Sequence, residues 1–357
     1  MTLETCGVSN FSDADLQQCQ RALQHGSRSF YLAASLLPAH MARPMTALYA
    51  FCRSADDVVD EAGDSAAAIA LVQARIDAMV ARTPLDFPED RALAAVIAQH
   101  ALPREPLDAL LEGFAWDVTG RCYETLAELE GYGARVAGSV GVMSALLMGE
   151  QRSGPLARAL DLGVAMQLTN ICRDVGEDAA LGRLYLPRKL LRSAGIEPTQ
   201  FLAAPVHSAA LGGVIQTVLA RADVLYARGQ QGVRMLPVSV RYSMRAAGLL
   251  YQQIGRQLAR QDFNAIDQRA VVPRSQQLRL LARSLSPWPG DSSRLQLPPL
   301  ASCEFLHEAA LGSIRRSVPD GRVERMMALF MRLGERSGNG PSGATRHSER
   351  QQQLYPG

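Results

Sequence analysis

Apolar residues return every three or four positions along most of this chain, as in Leu93–Ala101, Ala157–Val175 and Val214–Met235. That spacing puts them on one face of a helix, and no strong strand pattern interrupts it. Ala, Leu, Arg, Gln and Glu dominate these stretches, and all of them fit a helix interior well. Aromatic residues make up only 6%, which argues further against an all-β fold. Hydrophobic residues reach 47%, enough to build a core and to exclude wholesale disorder. The sequence predicts an all-α protein.

Local signals place the breaks. Ser12-Asp13-Ala14-Asp15 reads as a helix start, with Asp15 set to answer a Ser12 cap. Pro38, Pro44, Pro84, Pro103, Pro155, Pro187, Pro198 and Pro237 punctuate the helices that follow. No convincing linker occurs before residue 284, so residues 12–336 read as one large helical domain behind an extension of residues 1–11. Within it, 284–300 is rich in Pro and Ser and reads as a long surface loop. Residues 337–357 carry little to bury and read as a disordered tail.

Charge and cysteine usage narrow the function. The 37 Lys and Arg against 35 Asp and Glu give a net charge of +2, which excludes a large basic face for nucleic acid. None of the six cysteines forms a CxxC pair or accompanies a histidine cluster, so neither a zinc site nor a disulfide framework is expected. Scattered thiols suit a reducing cytosol. Residues 1–15 contain acids and no apolar run, unlike a secretory signal. The longest uncharged stretch, Pro198–Ala220, holds prolines, glutamines and a Gly-Gly pair, so it is not a spanning helix. Contact with a membrane would be peripheral.

Two acidic segments carry the chemistry. In Tyr49–Glu61, Asp56 and Asp60 stand four apart, on one helix face and about 6 Å apart along the axis, with Arg53 close to that face. In Met166–Asp178, Asn170, Asp174 and Asp178 repeat the spacing, with Gln167 three before Asn170 and Arg173 beside Asp174. A single such row is usually a solvated acidic face. Two rows on otherwise apolar helices ask for cations, because unpartnered buried carboxylates cost several kcal/mol or take up protons. A donor set made only of oxygen points to a hard ion such as Mg2+, with Mn2+ as a substitute. The adjacent arginines suit phosphate. Together they describe a diphosphate–Mg2+ clamp between two facing helices.

Longer motifs extend this. Gly26-Ser27-Arg28-Ser29-Phe30-Tyr31, Tyr49–Arg53, Asp56–Asp60, Arg135–Gly141, Gln167–Asp178 and Gly182–Pro187 occur in one order over about residues 15–335. In these motifs the chain resembles the squalene/phytoene synthase family, most closely its bacterial 15-cis-phytoene synthase branch. The resemblance implies the all-α isoprenoid synthase fold, one large helical domain around a central cavity. It also implies a prenyltransferase of carotenoid biosynthesis. Two geranylgeranyl diphosphates would be joined head to head through prephytoene diphosphate, with Mg2+ and without NADPH, in the cytoplasm or at a membrane surface.

Carried over residue by residue, Asp56, Asp60, Asn170, Asp174 and Asp178 would hold the metal. Ser27, Arg28, Ser29, Tyr49, Arg53, Gln167 and Arg173 would contact diphosphate, and Tyr185 would face the cavity near the leaving group. Tyr251 and Arg269 match a downstream Tyr and Arg of the family. From the residues alone, Tyr49 and Tyr185 equally fit core tyrosines, Ser27 a helix cap and Arg28 a solvated charge. Asp57, Glu61 and Glu177 lie off the acid faces. Gly138, Ser139 and Gly141 fit either room for a prenyl chain or close helix packing. Trp116, Asp117 and Arg121 fit either the cavity end or structural packing. Two other functions stay open at this point: a sister enzyme making squalene-type products from farnesyl diphosphate, and a non-catalytic scaffold, which would be expected to have lost acids from a row. The wording of Asp117–Thr125 and Asp267–Pro273 favours the phytoene branch.

Overall fold

The computed structural model describes residues 12–61, 64–286 and 295–317, with side chains through Ile314. The extension 1–11 and the tail 337–357 lie outside the described residues. The helical unit runs to Ile314. Its helices are α1 (Asp13–Gly26), α2 (Arg28–Ala34), α3 (Ala39–Asp60), α4 (Ser65–Val80), α5 (Pro88–His100), α6 (Glu105–Val118), α7 (Leu126–Gly133) and α8 (Ser139–Leu147). They continue with α9 (Ser153–Arg173), α10 (Val175–Ala180), α11 (Arg188–Ser193), α12 (Pro198–Ala203), α13 (Ala209–Met235), α14 (Val238–Ala259), α15 (Arg274–Leu285) and α16 (Glu304–Ser317). No strand occurs among the described residues, as the three-and-four spacing requires.

Ser12 does cap α1, its hydroxyl accepting from the Asp15 amide at 3.0 Å. The Asp15 carboxylate itself pairs with Arg91 of α5. Pro44 is not a boundary; it lies buried inside the early turns of α3. The loop read over 284–300 starts later than expected. Ser284 and Leu285 belong to α15. Residues 287–294 lie outside the described residues. Beyond them the carbonyls of Leu297 and Pro298 accept from Arg158, and Pro298 also from Arg228. Arg158 and Asp161 are wholly buried, and the chain folds back onto them.

Helix α9 is the axis of the fold. It is apolar almost all round and buried over nearly its whole length, as a helix covered on every side must be. Helices α13, α14 and α8 pack around it, with α7 and a π-helical turn, Ala134–Gly138, that links α7 to α8. A second core joins α3, α4, α5 and α6. Close approach at α9 depends on glycine. A Cβ on Gly163 would sit 2.3 Å from the Ala137 carbonyl oxygen, and one on Gly141 2.5 Å from that of Ala159. Gly141 and Gly163 also line the cavity between these helices, so close packing and cavity wall meet at Gly141.

Candidate active site

A cavity of about 260 Å3 runs along α9. Apolar residues of α2, α3, α8, α13 and α14 close it, among them Phe30, Leu48, Val140 and Met244. Its polar lining includes Tyr49, Gln167, Asn170 and Tyr251. Asp56 follows Cys52 of the cavity wall by one turn, and Asp174 follows Asn170 likewise. The two acid rows therefore continue the cavity wall outward at one end.

The first row lies on α3, which ends at Asp60. The second row is not on one continuous helix, as its spacing alone would have it. α9 stops at Arg173, and α10 restarts at Val175. The i+4 register survives, because the Asp174 amide donates to the Asn170 carbonyl at 2.9 Å and the Asp178 amide to that of Asp174 at 2.8 Å. The Gly176 amide is diverted to the Ala265 carbonyl at 3.0 Å. Only glycine admits that chain so close: a Cβ there would lie 2.8 Å from the carbonyl oxygens of Ala265 and Ile266. The segment so held carries Arg269, whose Nε reaches Asp174 at 2.9 Å and Glu177 at 3.4 Å. Gly176→Ala should cost about 1–3 kcal/mol in urea unfolding. By displacing Arg269 it should also lower kcat about 10- to 100-fold; an unchanged kcat would detach this junction from the site.

Arginines hold the carboxylates. Arg53 pairs with Asp57 and lies 3.5 Å from Asp56. Arg173 grips the adjacent Asp174 through two nitrogens. Arg183 donates to Asp60 at 2.9 Å and so ties the first row to the chain leaving the second. Sequence reasoning quoted Arg183 inside the Gly182–Pro187 motif without giving it a role. It also left open Asp117, which the fold brings between the rows. Tyr132 and Tyr185 donate to the two Asp117 oxygens at 2.8 and 2.7 Å. Tyr185 is not among the residues lining the apolar cavity; its hydroxyl is directed to Asp117 between the rows. It stacks on Tyr132 and Tyr123, with ring centres 5.1 and 6.2 Å apart. Nothing in the one-dimensional spacing marked Tyr132.

Ser27, Phe30, Tyr49 and Tyr251 meet at the same end. Ser27 caps α2, accepting from the Phe30 amide at 3.3 Å. Phe30 packs against both tyrosine rings, at 5.9 and 5.0 Å. Arg28 and Ser29 stand in the first turn of α2, Arg28 exposed.

Burial and mutual repulsion shape the acids. Burial, then Asp60, pushes the Asp56 carboxyl up to about 6. Burial lifts Asp117 to about 6 against the pull of its two tyrosine hydroxyls. Burial and the neighbouring Asp174 lift Asp178 to about 7. Such a group of carboxyls lacks positive charge. The amide oxygen of Asn170 is buried without a partner. An oxygen-only donor set with a spare amide oxygen and too little cation fits a hard divalent ion. Among the described residues no three acids already converge on one point; the arginines stand in as counter-ions.

The family model described as squalene/phytoene synthase matches residues 23–276. A phytoene synthase of Rhodobacter capsulatus is 46% identical over 276 residues, covering 76% of this chain and 81% of that protein. A phytoene synthase of Cereibacter sphaeroides is 40% identical over 337 residues, covering 90% and 94%. Among solved structures, a dehydrosqualene synthase in complex with ligand superposes with a TM-score of 0.71 at 30% identity, covering 76% of this chain and 95% of that one.

Proposed function

The chain belongs to the squalene/phytoene synthase family, and from that premise we propose that it is a phytoene synthase, joining two geranylgeranyl diphosphates head to head. The observation that supports this reading most is the apolar cavity whose polar end leads directly into two acid rows. The cavity holds the prenyl chains and keeps water from a reacting allylic cation. Arg53, Arg173, Arg183 and Arg269 are paired with carboxylates in the substrate-free chain. On substrate entry they turn to diphosphate oxygens, which guanidinium groups match in geometry and charge. Tyr49, Gln167 and Tyr251 line the passage between diphosphate and chain. The two tyrosine hydroxyls spent on Asp117 fix that carboxylate between the rows.

Asp56, Asp60, Asn170, Asp174 and Asp178 would hold Mg2+. When bound it would neutralise charge on the departing diphosphate. Its presence is open to a test that needs no turnover. Asp56, Asp117 and Asp178 bind their protons more tightly folded than unfolded, since each is raised from 3.8 to about 6 or 7. The stability they contribute is full below the ordinary carboxyl range and is lost as pH rises through about 6 to 7. Metal binds the deprotonated form. The rise in melting temperature on adding Mg2+ should therefore be larger at about pH 8 than at about pH 6. An equal rise at both, or none, would count against the clamp.

The reaction itself is tested by a product assay on purified protein. Mg2+ is supplied with either geranylgeranyl or farnesyl diphosphate, each with and without NADPH. The expected result is a C40 hydrocarbon from the C20 substrate without NADPH. A C30 product only, from farnesyl diphosphate, would move the chain to the squalene-type branch. No product from folded protein would overturn the enzymatic reading.

A further inference from the structure

A stretch rich in arginine and free of acids spans the end of α13 and all of α14. Residues 224–261 contain six arginines and no Asp, Glu or Lys. Within this run lies the turn from α13 to α14. Leu236 in that turn is buried and forms part of the cavity wall. Its neighbours face outward: Met235 is 39% and Val238 58% exposed, and Pro237 between them is exposed too. The turn is rigidly held. Arg152 donates to the Met235 carbonyl at 2.8 Å and Arg241 to that of Leu236 at 2.9 Å. Arg234 stands one residue before. Glu150 is buried and pairs with Arg152. An apolar tip thus has the guanidinium groups of Arg152 and Arg241 against its backbone, with Arg234 in the last turn of α13 before it.

Its position matters as much as its chemistry. Arg152 caps the N-terminal end of α9, whereas Asp174 caps the C-terminal end. A helix of 21 residues separates them by about 30 Å. The tip therefore sits at the far end of the cavity from the acid rows, and Leu236 is shared by cavity wall and turn. Arginines around exposed aliphatic side chains match a bilayer with anionic headgroups: the apolar tip enters the acyl boundary while the guanidinium groups stay among the phosphates.

We infer that the Met235–Val238 turn docks this protein on an anionic membrane surface, and that the hydrocarbon product leaves the cavity beside it. The exit, though not the docking, rests on the function proposed above. A product without a polar group has no favourable way out past carboxylates and arginines, and only a wall of aliphatic side chains separates it from the docked lipid.

The test uses the full chain and vesicles of phosphatidylcholine, alone or mixed with phosphatidylglycerol, in co-sedimentation. Wild type should bind the anionic vesicles, release them as salt rises and ignore phosphatidylcholine alone. Arg234→Glu should weaken binding at least about fivefold. Met235→Ser combined with Val238→Asp should weaken it about tenfold or more. Met235 and Val238 are exposed and Arg234 is half-buried, and unchanged melting temperature and helical content confirm folding. Binding that survives the double variant, binding independent of anionic lipid, or no binding by wild type at low salt overturns the inference. So does a lipid-free dimer that the double variant converts to monomer, since the turn would then be a contact between copies. Docking is scored without substrate, so it stands or falls separately from the reaction. The exit is scored by turnover: anionic vesicles should raise the steady-state rate of wild type and not of the double variant, whose rate in detergent should match wild type. Equal stimulation of both overturns the exit.

Discussion

Asp56→Ala and Asp174→Ala should each lower turnover by at least about 10^3-fold, some 4 kcal/mol of transition-state stabilisation, while the far-ultraviolet circular dichroism stays unchanged. Asp56 lies on the surface of α3 and Asp174 at the break between α9 and α10, both at the edge of the cavity and outside the apolar core, so their loss need not unfold anything. Their effects on stability should nevertheless differ in sign. The Asp56 carboxyl is held up near 6 by burial and by Asp60, so in the metal-free protein at neutral pH its charge is a cost. Removing it should raise the melting temperature. The gain should be small, because the side chain is still 43% exposed. Asp174 is the opposite case. It accepts from Arg173 and Arg269, and its loss leaves two guanidinium groups facing one another with only Glu177 near Arg269. Asp174→Ala should therefore lower the melting temperature. Wild-type-like turnover in either variant would remove the clamp. Stability changes of equal sign would show that the ion pairs described here are not the ones the protein keeps in solution.

What could be read from sequence followed the reach of a helix. Asp56 and Asp60 were legible as a pair because four residues on one helix fix their geometry, and Asn170 and Asp174 likewise. The break after Arg173 was not, because the group that receives the Gly176 amide is the Ala265 carbonyl, far along the chain. Arg53 and Arg173 were correctly placed beside the rows, but read as free for phosphate. In the folded chain Arg53 pairs with Asp57 at the surface, and Arg173 pairs with the largely buried Asp174. Asp117 and Tyr132 illustrate the same limit. Fifteen residues apart, they meet because the π turn that follows α7 packs against α6. A lone Asp near a Trp offers no spacing from which to infer that contact.

The orientation of the first row has a support that sequence gave no hint of, and breaking it should be the most damaging single change to stability. Arg75 of α4 and Asp90 of α5 have no exposed side-chain surface. Arg75 donates to both Asp90 oxygens, at 2.7 and 3.0 Å, to Glu89 at 2.9 Å and to the Ser54 hydroxyl at 3.1 Å. Its guanidinium lies 4.5 Å from the Phe87 ring centre and 5.3 Å from that of Phe51. Ser54 and Phe51 belong to α3, so this buried cation fixes the rotation of the helix that carries Asp56 and Asp60. Asp90→Ala strands the guanidinium with too little negative charge, and such a loss costs about 3–5 kcal/mol. The check is the urea midpoint at unchanged slope. Arg75→Met combined with Asp90→Leu removes both charges and keeps the volume, so most of that loss should return. The pair variant still lacks the anchor on Ser54, however. Its Mg2+ requirement for half-maximal turnover should rise while its urea midpoint stays near wild type. If stability and Mg2+ dependence recover together, the buried pair stabilises the α3–α4–α5 layer without setting the direction of the acid row. If only stability recovers, the rotation of α3 is what the pair maintains for the site.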